Sequence, residues 1–122
     1  MTSKRIENIA LKKSRRSDCL HMHSAIIVVK GHVVSIGHNR KLRGNGDKGP
    51  HSIHAEVDAL RTVKPGTDMS KAEMYVSRFN KNGGPLLSKP CDECILAIRE
   101  SGIRKVHYSL HCDELVWATV KV

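Results

Sequence analysis

The chain carries two short motifs, Ser52-Ile53-His54-Ala55-Glu56-Val57 and, further along, Lys89-Pro90-Cys91-Asp92-Glu93-Cys94. Together they supply one imidazole and two thiols, which are donor groups that zinc prefers. Zinc in proteins usually has four ligands arranged as a tetrahedron, so three protein donors leave one position for water. We therefore predict a catalytic Zn²⁺ site whose metal ligands are His54, Cys91 and Cys94.

Glu56 is the predicted catalytic residue of this site. It lies two residues after His54, and in the middle of a helix such residues point about 200° apart. At the first turn of a helix, however, both side chains can lean past the helix end into one pocket. A carboxylate held there can take a proton from water and pass it on, so we assign Glu56 as general base and acid and not as a metal ligand.

The two cysteines are three residues apart, which puts both sulfurs on one face if a helix begins here. Pro90 supports a helix start because its missing N–H costs nothing at that position. The helix dipole then favours the thiolate form that a metal needs. His54 also precedes a helical pattern, so two helix ends are expected to meet at the metal.

Other interpretations of the C-x-x-C pair stay open. Such a pair also fits a redox centre or half of a closed structural zinc site. Pro90 before the first cysteine argues against the redox centre. A free carboxylate beside the metal argues against a purely structural zinc, unless Cys112 or His51 supplies a fourth ligand.

Composition limits the classes of function. The chain has 122 residues, a formal net charge of +9 and a pI near 9.7, with 39% hydrophobic but only 3% aromatic residues. We expect one domain over residues 1–122 with an aliphatic core and without a wide aromatic platform for single-stranded nucleic acid. The positive charge predicts attraction to anions, which include phosphates on small substrates and nucleic acid.

No secretory signal and no apolar run of about 20 residues is found, so we expect a cytoplasmic protein without a membrane partner. In that compartment Cys19 and Cys112 are expected to stay reduced. A basic first helix over Lys4 to Arg16 is predicted, and its cations fit a solvated helix end, nucleic-acid binding or a targeting signal.

The rest of the chain alternates strand and helix patterns. In order, the predicted elements are a hairpin of Ser24–Lys30 and Val33–Gly37, a loop over Arg40–Pro50, a helix from Ile53 to Pro65-Gly66, a strand Ala72–Ser77, a loop Phe79–Ser88, a helix Cys91–Ser101 ended by Gly102, and strands Ile103–Ser109 and Leu115–Val122. The loop Arg40–Pro50 suits either a phosphate or an ordinary surface.

This order predicts an α/β fold. Strands separated by a helix are expected to pair in parallel through right-handed crossovers. Only five residues separate Ser109 from Leu115, and a parallel connection needs a dozen or more, so the last strand must run antiparallel to its neighbour. The expected architecture is a five-stranded mixed sheet with helices on both faces.

With both motifs and this order of elements, the chain resembles the cytidine deaminase-like superfamily from Ser24 onward. The resemblance implies a three-layer cytidine deaminase-like fold, a zinc cofactor and the same roles for the zinc ligands and Glu56. It also implies substrate contacts from Asn39, from the backbone of Ala55 to a pyrimidine carbonyl, and from the backbone at Ser88 and Lys89 to the exocyclic amine.

Within the superfamily, an antiparallel last strand is typical of free-nucleoside, blasticidin-type and many toxin or RNA-editing deaminases. The chain departs from the nucleoside enzymes by using His54 as first ligand. It also follows Asn39 with Arg40-Lys41, where those enzymes have a nearby Glu for the ribose hydroxyl. These cations suit a phosphate, so the hypothesis includes a nucleotide substrate.

The first hypothesis for function is a zinc-dependent hydrolase that converts a cytosine-type amine to the carbonyl on a free nucleoside or nucleotide and releases ammonia. The alternative is deamination of a base in RNA or DNA, either cytosine or adenosine in tRNA. A third hypothesis is a binding module with structural zinc. We also expect a homo-oligomer. The histidines outside the motif, among them His23, are expected at the surface or in the core, and Phe79 is a candidate for the pocket lining.

Overall fold

The structure, a computed structural model, describes residues 4–14, 22–42, 51–80, 84–110 and 116–122. Three helices and eight strands lie in these ranges. They are α1 (Lys4–Ser14), β1 (Met22–Val29), β2 (His32–His38), β3 (Arg40–Leu42), β4 (His51–Ile53), α2 (Ala55–Arg61), β5 (Ala72–Phe79), β6 (Pro85–Leu86), α3 (Asp92–Glu100), β7 (Lys105–Ser109) and β8 (Trp117–Lys121), with a 3₁₀ turn at Met69–Lys71.

The main sheet has the strand order β2-β1-β5-β7-β8, and the two-residue β6 pairs with β5 at its side. β1 and β2 form the predicted hairpin, whose turn holds Lys30 and Gly31 at positive φ. β5 and β7 are parallel and are joined through α3. β8 runs antiparallel to β7, so the prediction for the last strand is confirmed.

The prediction of parallel pairing around α2 is wrong. The strands before and after that helix, β2 and β5, are not neighbours, because β1 lies between them and pairs antiparallel with both. The physical reason is the composition of β1. Its residues Ala25, Ile26, Ile27 and Val28 are at most 5% exposed, and a strand that is apolar on both faces belongs inside a sheet.

Helices cover both faces of the sheet, as expected. On one face, the cluster that contains Ala25 and Met74 packs against α2 and against Ile98 of α3. On the other face, Ile26 and Tyr75 pack against Ile6 of α1. Alternate residues of β1 and β5 therefore point to different helices, which is the period of two of a strand buried on both sides.

Two segments that the sequence predicts to be loops contain short β-strands. β3 is formed by the first three residues of Arg40–Pro50 and pairs with β4, which begins directly after Pro50, while residues 43–50 lie outside the described ranges. The loop predicted from Phe79 to Ser88 also starts late and contains β6. Phe79 is the last residue of β5 and is 2% exposed on the α1 face, so its predicted place in the pocket lining is wrong.

The helix predicted from Ile53 to Pro65-Gly66 is shorter than expected, because Ile53 pairs in β4 and α2 covers only Ala55–Arg61, whereas the other described helix ends agree with the sequence patterns. α1 covers the basic segment to Ser14, and Arg15 and Arg16 lie outside the described residues. Gly102 ends α3 with a φ of 102°, a backbone conformation that L side chains rarely adopt. Among the described residues, none of the helices has the length and apolarity needed to cross a bilayer.

Candidate active site

The predicted metal ligands lie at the starts of two helices. His54 is the N-cap of α2 and Cys91 is the N-cap of α3, both with extended backbone. The two helix ends meet there, as the sequence predicts. Pro90 directly precedes the N-cap, at the helix entrance where the sequence predicts it, and its ring keeps the incoming chain extended.

The three predicted donors form one cluster. The ligand atoms of His54, Cys91 and Cys94 all lie within 4.8 Å of one another. The His54 Nδ1 is 3.2 Å from the Cys94 Sγ and 3.8 Å from the Cys91 Sγ. Tetrahedral zinc with bonds of about 2.3 Å to sulfur and about 2.0–2.1 Å to nitrogen separates such donors by about 3.5–3.8 Å. The residues present therefore fit Zn²⁺, with Nδ1 as the imidazole donor.

A cavity of about 240 Å³ opens beside this cluster. It is slightly smaller than the range of about 300–1,000 Å³ that is usual for small-molecule sites. Its lining contains every predicted substrate-contact residue together with the predicted acid–base residue. The lining residues are His23, Asn39, His54, Ala55, Glu56, Ser88, Lys89 and Cys91.

Glu56 lies in the first turn of α2 and is 5% exposed. Burial raises the pKa of its carboxyl above the ordinary value, because a charge in a poorly hydrated place is costly, while hydrogen bonds to its own backbone and to Cys94 lower it. The Cys94 thiol is 2% exposed, and burial together with the negative charge of Glu56 raises its pKa as well. A cation is what this pair of buried acidic groups lacks, and zinc would supply it.

Helix α2 is held against β2 by close backbone packing. A Cβ on Gly37 would lie 2.5 Å from the Ala55 carbonyl oxygen, so only glycine allows this approach. A hydrogen bond adds to this packing, since the Ser35 hydroxyl donates to the Ala59 carbonyl at 2.6 Å. The first turn of α2, which carries Glu56, is therefore fixed relative to the sheet.

Asp58 links the same helix to the predicted substrate residue Asn39. Its buried carboxylate accepts a hydrogen bond from the His38 backbone N–H at 3.2 Å. The next residue, Asn39, accepts from the His23 backbone N–H through Oδ1 at 3.0 Å. These bonds fix the strand end that presents Asn39 to the cavity.

Ser88 reaches the cavity through its main chain. Its hydroxyl is 3% exposed and donates its one proton to the Val76 carbonyl at 2.7 Å. The same oxygen accepts from the Ser109 backbone N–H at 2.7 Å, and the Ser88 N–H donates to the Ser109 carbonyl at 2.9 Å. Since these bonds occupy the hydroxyl proton and the N–H, the backbone carbonyl is the group of Ser88 that can meet a ligand.

Comparison with known proteins agrees with this geometry. The family model of the cytidine and deoxycytidylate deaminase zinc-binding region matches residues 2–110. The chain belongs to this family. A zinc-dependent enzyme of the cytidine deaminase type is thus shown, with Zn²⁺ as its cofactor.

Solved structures share the fold. The dCMP deaminase from the cyanophage S-TIM5 in apo form is 24% identical, with a TM-score of 0.65 over 92% of this chain and 88% of that chain. The same enzyme in complex with dCMP and dUMP is 24% identical, with a TM-score of 0.63 over 88% and 83%. A cytidine deaminase from Burkholderia pseudomallei is 19% identical, with a TM-score of 0.70 over 99% and 93%. A search of curated protein sequences gave no significant match.

Sequence reasoning about this deaminase-type site missed the cavity position of His23 and the link made by Asp58. Neither residue belongs to a motif. The usable signal for Asp58 is its position in the helix that follows His54, where a charged residue on the buried side needs a partner. The suspected fourth ligands are Cys112 and His51. Cys112 and the side chain of His51 lie outside the described residues, as does Cys19. Within the described residues, the cluster has three donors.

Proposed function

We propose that the chain hydrolyses the exocyclic amine of a cytosine-type base on a free nucleoside or nucleotide, with His54, Cys91 and Cys94 holding the zinc and Glu56 moving the protons. The observation that carries this proposal is the position of Glu56. Its carboxylate is buried, lines the same cavity as His54 and Cys91, and hydrogen-bonds Cys94. A purely structural zinc site would have no use for it.

The chemistry follows from these groups. When bound, zinc supplies Lewis-acid activation of a water molecule. Glu56 takes a proton from that water and delivers it to the ring nitrogen beside the amine-bearing carbon, which makes this carbon a better electrophile. The water oxygen bonds to this carbon, and Glu56 then carries the proton that remains on that oxygen to the amine. The C–N bond breaks, ammonia leaves and the carbonyl of the uracil form remains, so one water is consumed for each ammonia released.

Three further cavity residues are proposed to hold the substrate. The Ala55 N–H lies in the first turn of α2, where backbone donors have no partner within the helix, and it suits the pyrimidine carbonyl. The Ser88 carbonyl suits the exocyclic amine as a hydrogen-bond acceptor. Asn39 suits the sugar or the base edge, since its side chain is fixed by the His23 backbone.

The test is a deamination assay on zinc-loaded protein, which follows ammonia and the ultraviolet change of the base. Cytidine, deoxycytidine, their monophosphates, cytosine, adenosine and a short single strand form the panel. Glu56→Gln should retain zinc and lose turnover by about 10²–10⁴-fold, whereas Glu100→Gln, at the exposed far end of α3, should match the wild type. Equal turnover by Glu56→Gln and wild type would disprove the assignment.

Deamination of a base within RNA or DNA is the second candidate, and the net charge of +9 favours it. Among the described residues, the cavity lining contains no Phe, Tyr or Trp on which a base could stack. Activity on a strand should fall steeply with salt, whereas activity on a small substrate should fall only slightly. A homo-oligomer and a cytoplasmic location remain predictions.

A further inference from the structure

A basic cluster lies at the cavity end of the sheet. His23 of β1 is directly opposite Arg78 of β5 in the antiparallel register. Opposed residues of this kind have Cβ atoms about 4.5–5.5 Å apart and share one face. Ala25 and Val76, two residues inward on each strand, belong to the core cluster under α2 and α3. His23 and Arg78 therefore lie on the face that carries the cavity.

Lys89 adds a third basic group. Both Lys89 and His23 line the cavity, and Arg78 reaches the segment just before Lys89, where its Nη1 donates to the Leu87 carbonyl at 3.4 Å. Arg78 Nε is buried and has no hydrogen-bond partner among the described residues. Lys89 is exposed, and within the described part of the chain no carboxylate forms an ion pair with it.

The acidic and the basic groups at this cavity come from different elements of the fold. The acidic Glu56 lies at the metal end, where it contacts Cys94. The basic groups come from β1, β5 and the segment before α3, and all three keep some exposure to solvent. A ligand with a neutral ring at the metal and an anionic group toward solvent matches this distribution of charge.

We infer that His23, Arg78 and Lys89 form an anion subsite that binds the phosphate monoester of a mononucleotide substrate. The inference rests on the proposed function, because it assumes that the base occupies the metal end. A phosphate monoester carries about −1.5 to −2 charges at neutral pH, which suits two permanent cations and a histidine. Arginine presents several N–H donors in a fork that matches phosphate oxygens, and the orphaned Nε belongs to that fork.

Binding without turnover is the first experiment. In zinc-loaded Glu56→Gln protein, calorimetry compares CMP with cytidine and dCMP with deoxycytidine. We expect each monophosphate to bind about tenfold or more tightly than its nucleoside, and Lys89→Gln and Arg78→Gln each to reduce that ratio about tenfold. Lys71→Gln is the matched control, since this exposed lysine lies at the other end of β5, roughly 20 Å away.

Turnover is the second experiment, with the same substitutions in protein that keeps Glu56. The ratio of kcat/KM for CMP to kcat/KM for cytidine should fall in the same two variants and stay unchanged in Lys71→Gln. Arg40→Gln and Lys41→Gln test the other cations that the sequence offers for a phosphate, and they should leave the ratio at its wild-type value.

Three results would overturn the inference: equal binding of nucleoside and monophosphate by wild type, equal losses for both compounds in the variants, or loss of preference only in the Arg40 and Lys41 variants. A loss confined to a short single strand would also overturn it in favour of a polynucleotide. Absence of turnover on the whole panel with intact phosphate preference in binding would instead refute the proposed function alone. The two failures are therefore distinguishable.

Discussion

Gly37 lies where α2 rests directly on β2, and its replacement by alanine tests whether this contact sets the geometry of the metal site. The new Cβ would lie 2.5 Å from the Ala55 carbonyl oxygen and 2.9 Å from the Ala59 Cα, and it would also press on the Ala59 nitrogen. Contacts of 3.0–3.4 Å are already tight for a Cβ atom. All three neighbours are backbone atoms, so no side-chain rotation relieves the clash, and α2 must retreat from β2 by roughly 0.7–1.1 Å.

This retreat should weaken zinc binding. His54 caps α2, whereas Cys91 and Cys94 belong to the start of α3, so movement of α2 alone changes the distances between the imidazole and the two sulfurs. Metal–ligand distances tolerate only about 0.2 Å. We expect Gly37→Ala to bind zinc about tenfold or more weakly. We also expect the zinc-free protein to lose about 1–3 kcal/mol of unfolding free energy through overpacking.

Competition with a chromophoric chelator measures the zinc affinity, and urea unfolding of the zinc-free protein measures stability. Gly31→Ala is the matched control, because a Cβ there meets open space while φ is +80°. It should cost about 1–2 kcal/mol through the left-handed backbone and keep the wild-type zinc affinity. The reasoning is refuted if Gly37→Ala binds zinc within about twofold of wild type.

Three further outcomes are expected. Asp58→Ala should lose about 1–3 kcal/mol of unfolding free energy and raise KM more than it lowers kcat, because the His38 N–H loses its acceptor. Asp58→Asn keeps an acceptor and should restore most of the stability and most of the KM. Equal KM values in wild type and Asp58→Ala would contradict the link to Asn39. A chelator should lower the melting temperature of wild type by on the order of 10 °C, measured by circular dichroism, and leave Cys94→Ala unaffected; a similar chelator response in that variant would exclude Cys94 as a ligand. Ser88→Ala should destabilise the protein by about 1–3 kcal/mol in urea, whereas unchanged stability would show that its buried hydroxyl is dispensable.

Much of the fold was predictable because the signals are local. The hairpin around Gly31, the glycine stop at Gly102 and the antiparallel last strand each depend on a few neighbouring residues or on a short connection. The neighbours in the sheet were not predictable in this way. Strand order depends on which strand is buried on both faces. The crossover pattern alone predicts that β2 and β5 are neighbours, but β1 lies between them.

The candidate site divides along the same line. His54 and Cys91 were predictable as donors because each stands at a helix start within a motif of fixed spacing, and the chemistry of imidazole and thiolate points to zinc. Phe79 was misplaced by sequence reasoning because β5 continues two residues past the predicted end at Ser77, which keeps Phe79 in the strand and on the face that packs against α1. His23 was overlooked for the related reason that its neighbour across the sheet is Arg78, far away in the chain.

The sequence by itself determined the candidate donor atoms, the helix starts that carry them and the carboxylate proposed for acid–base chemistry, because these depend on residue type and on spacing within one turn. The tertiary structure alone decided what surrounds them. Asp58 accepts a hydrogen bond from His38, Gly37 allows α2 to approach β2, and strand register places Arg78 opposite His23, which lines the cavity together with Lys89. The reason is that a strand places its side chains by pairing with partners that are distant in sequence, whereas a helix start places them through its own backbone.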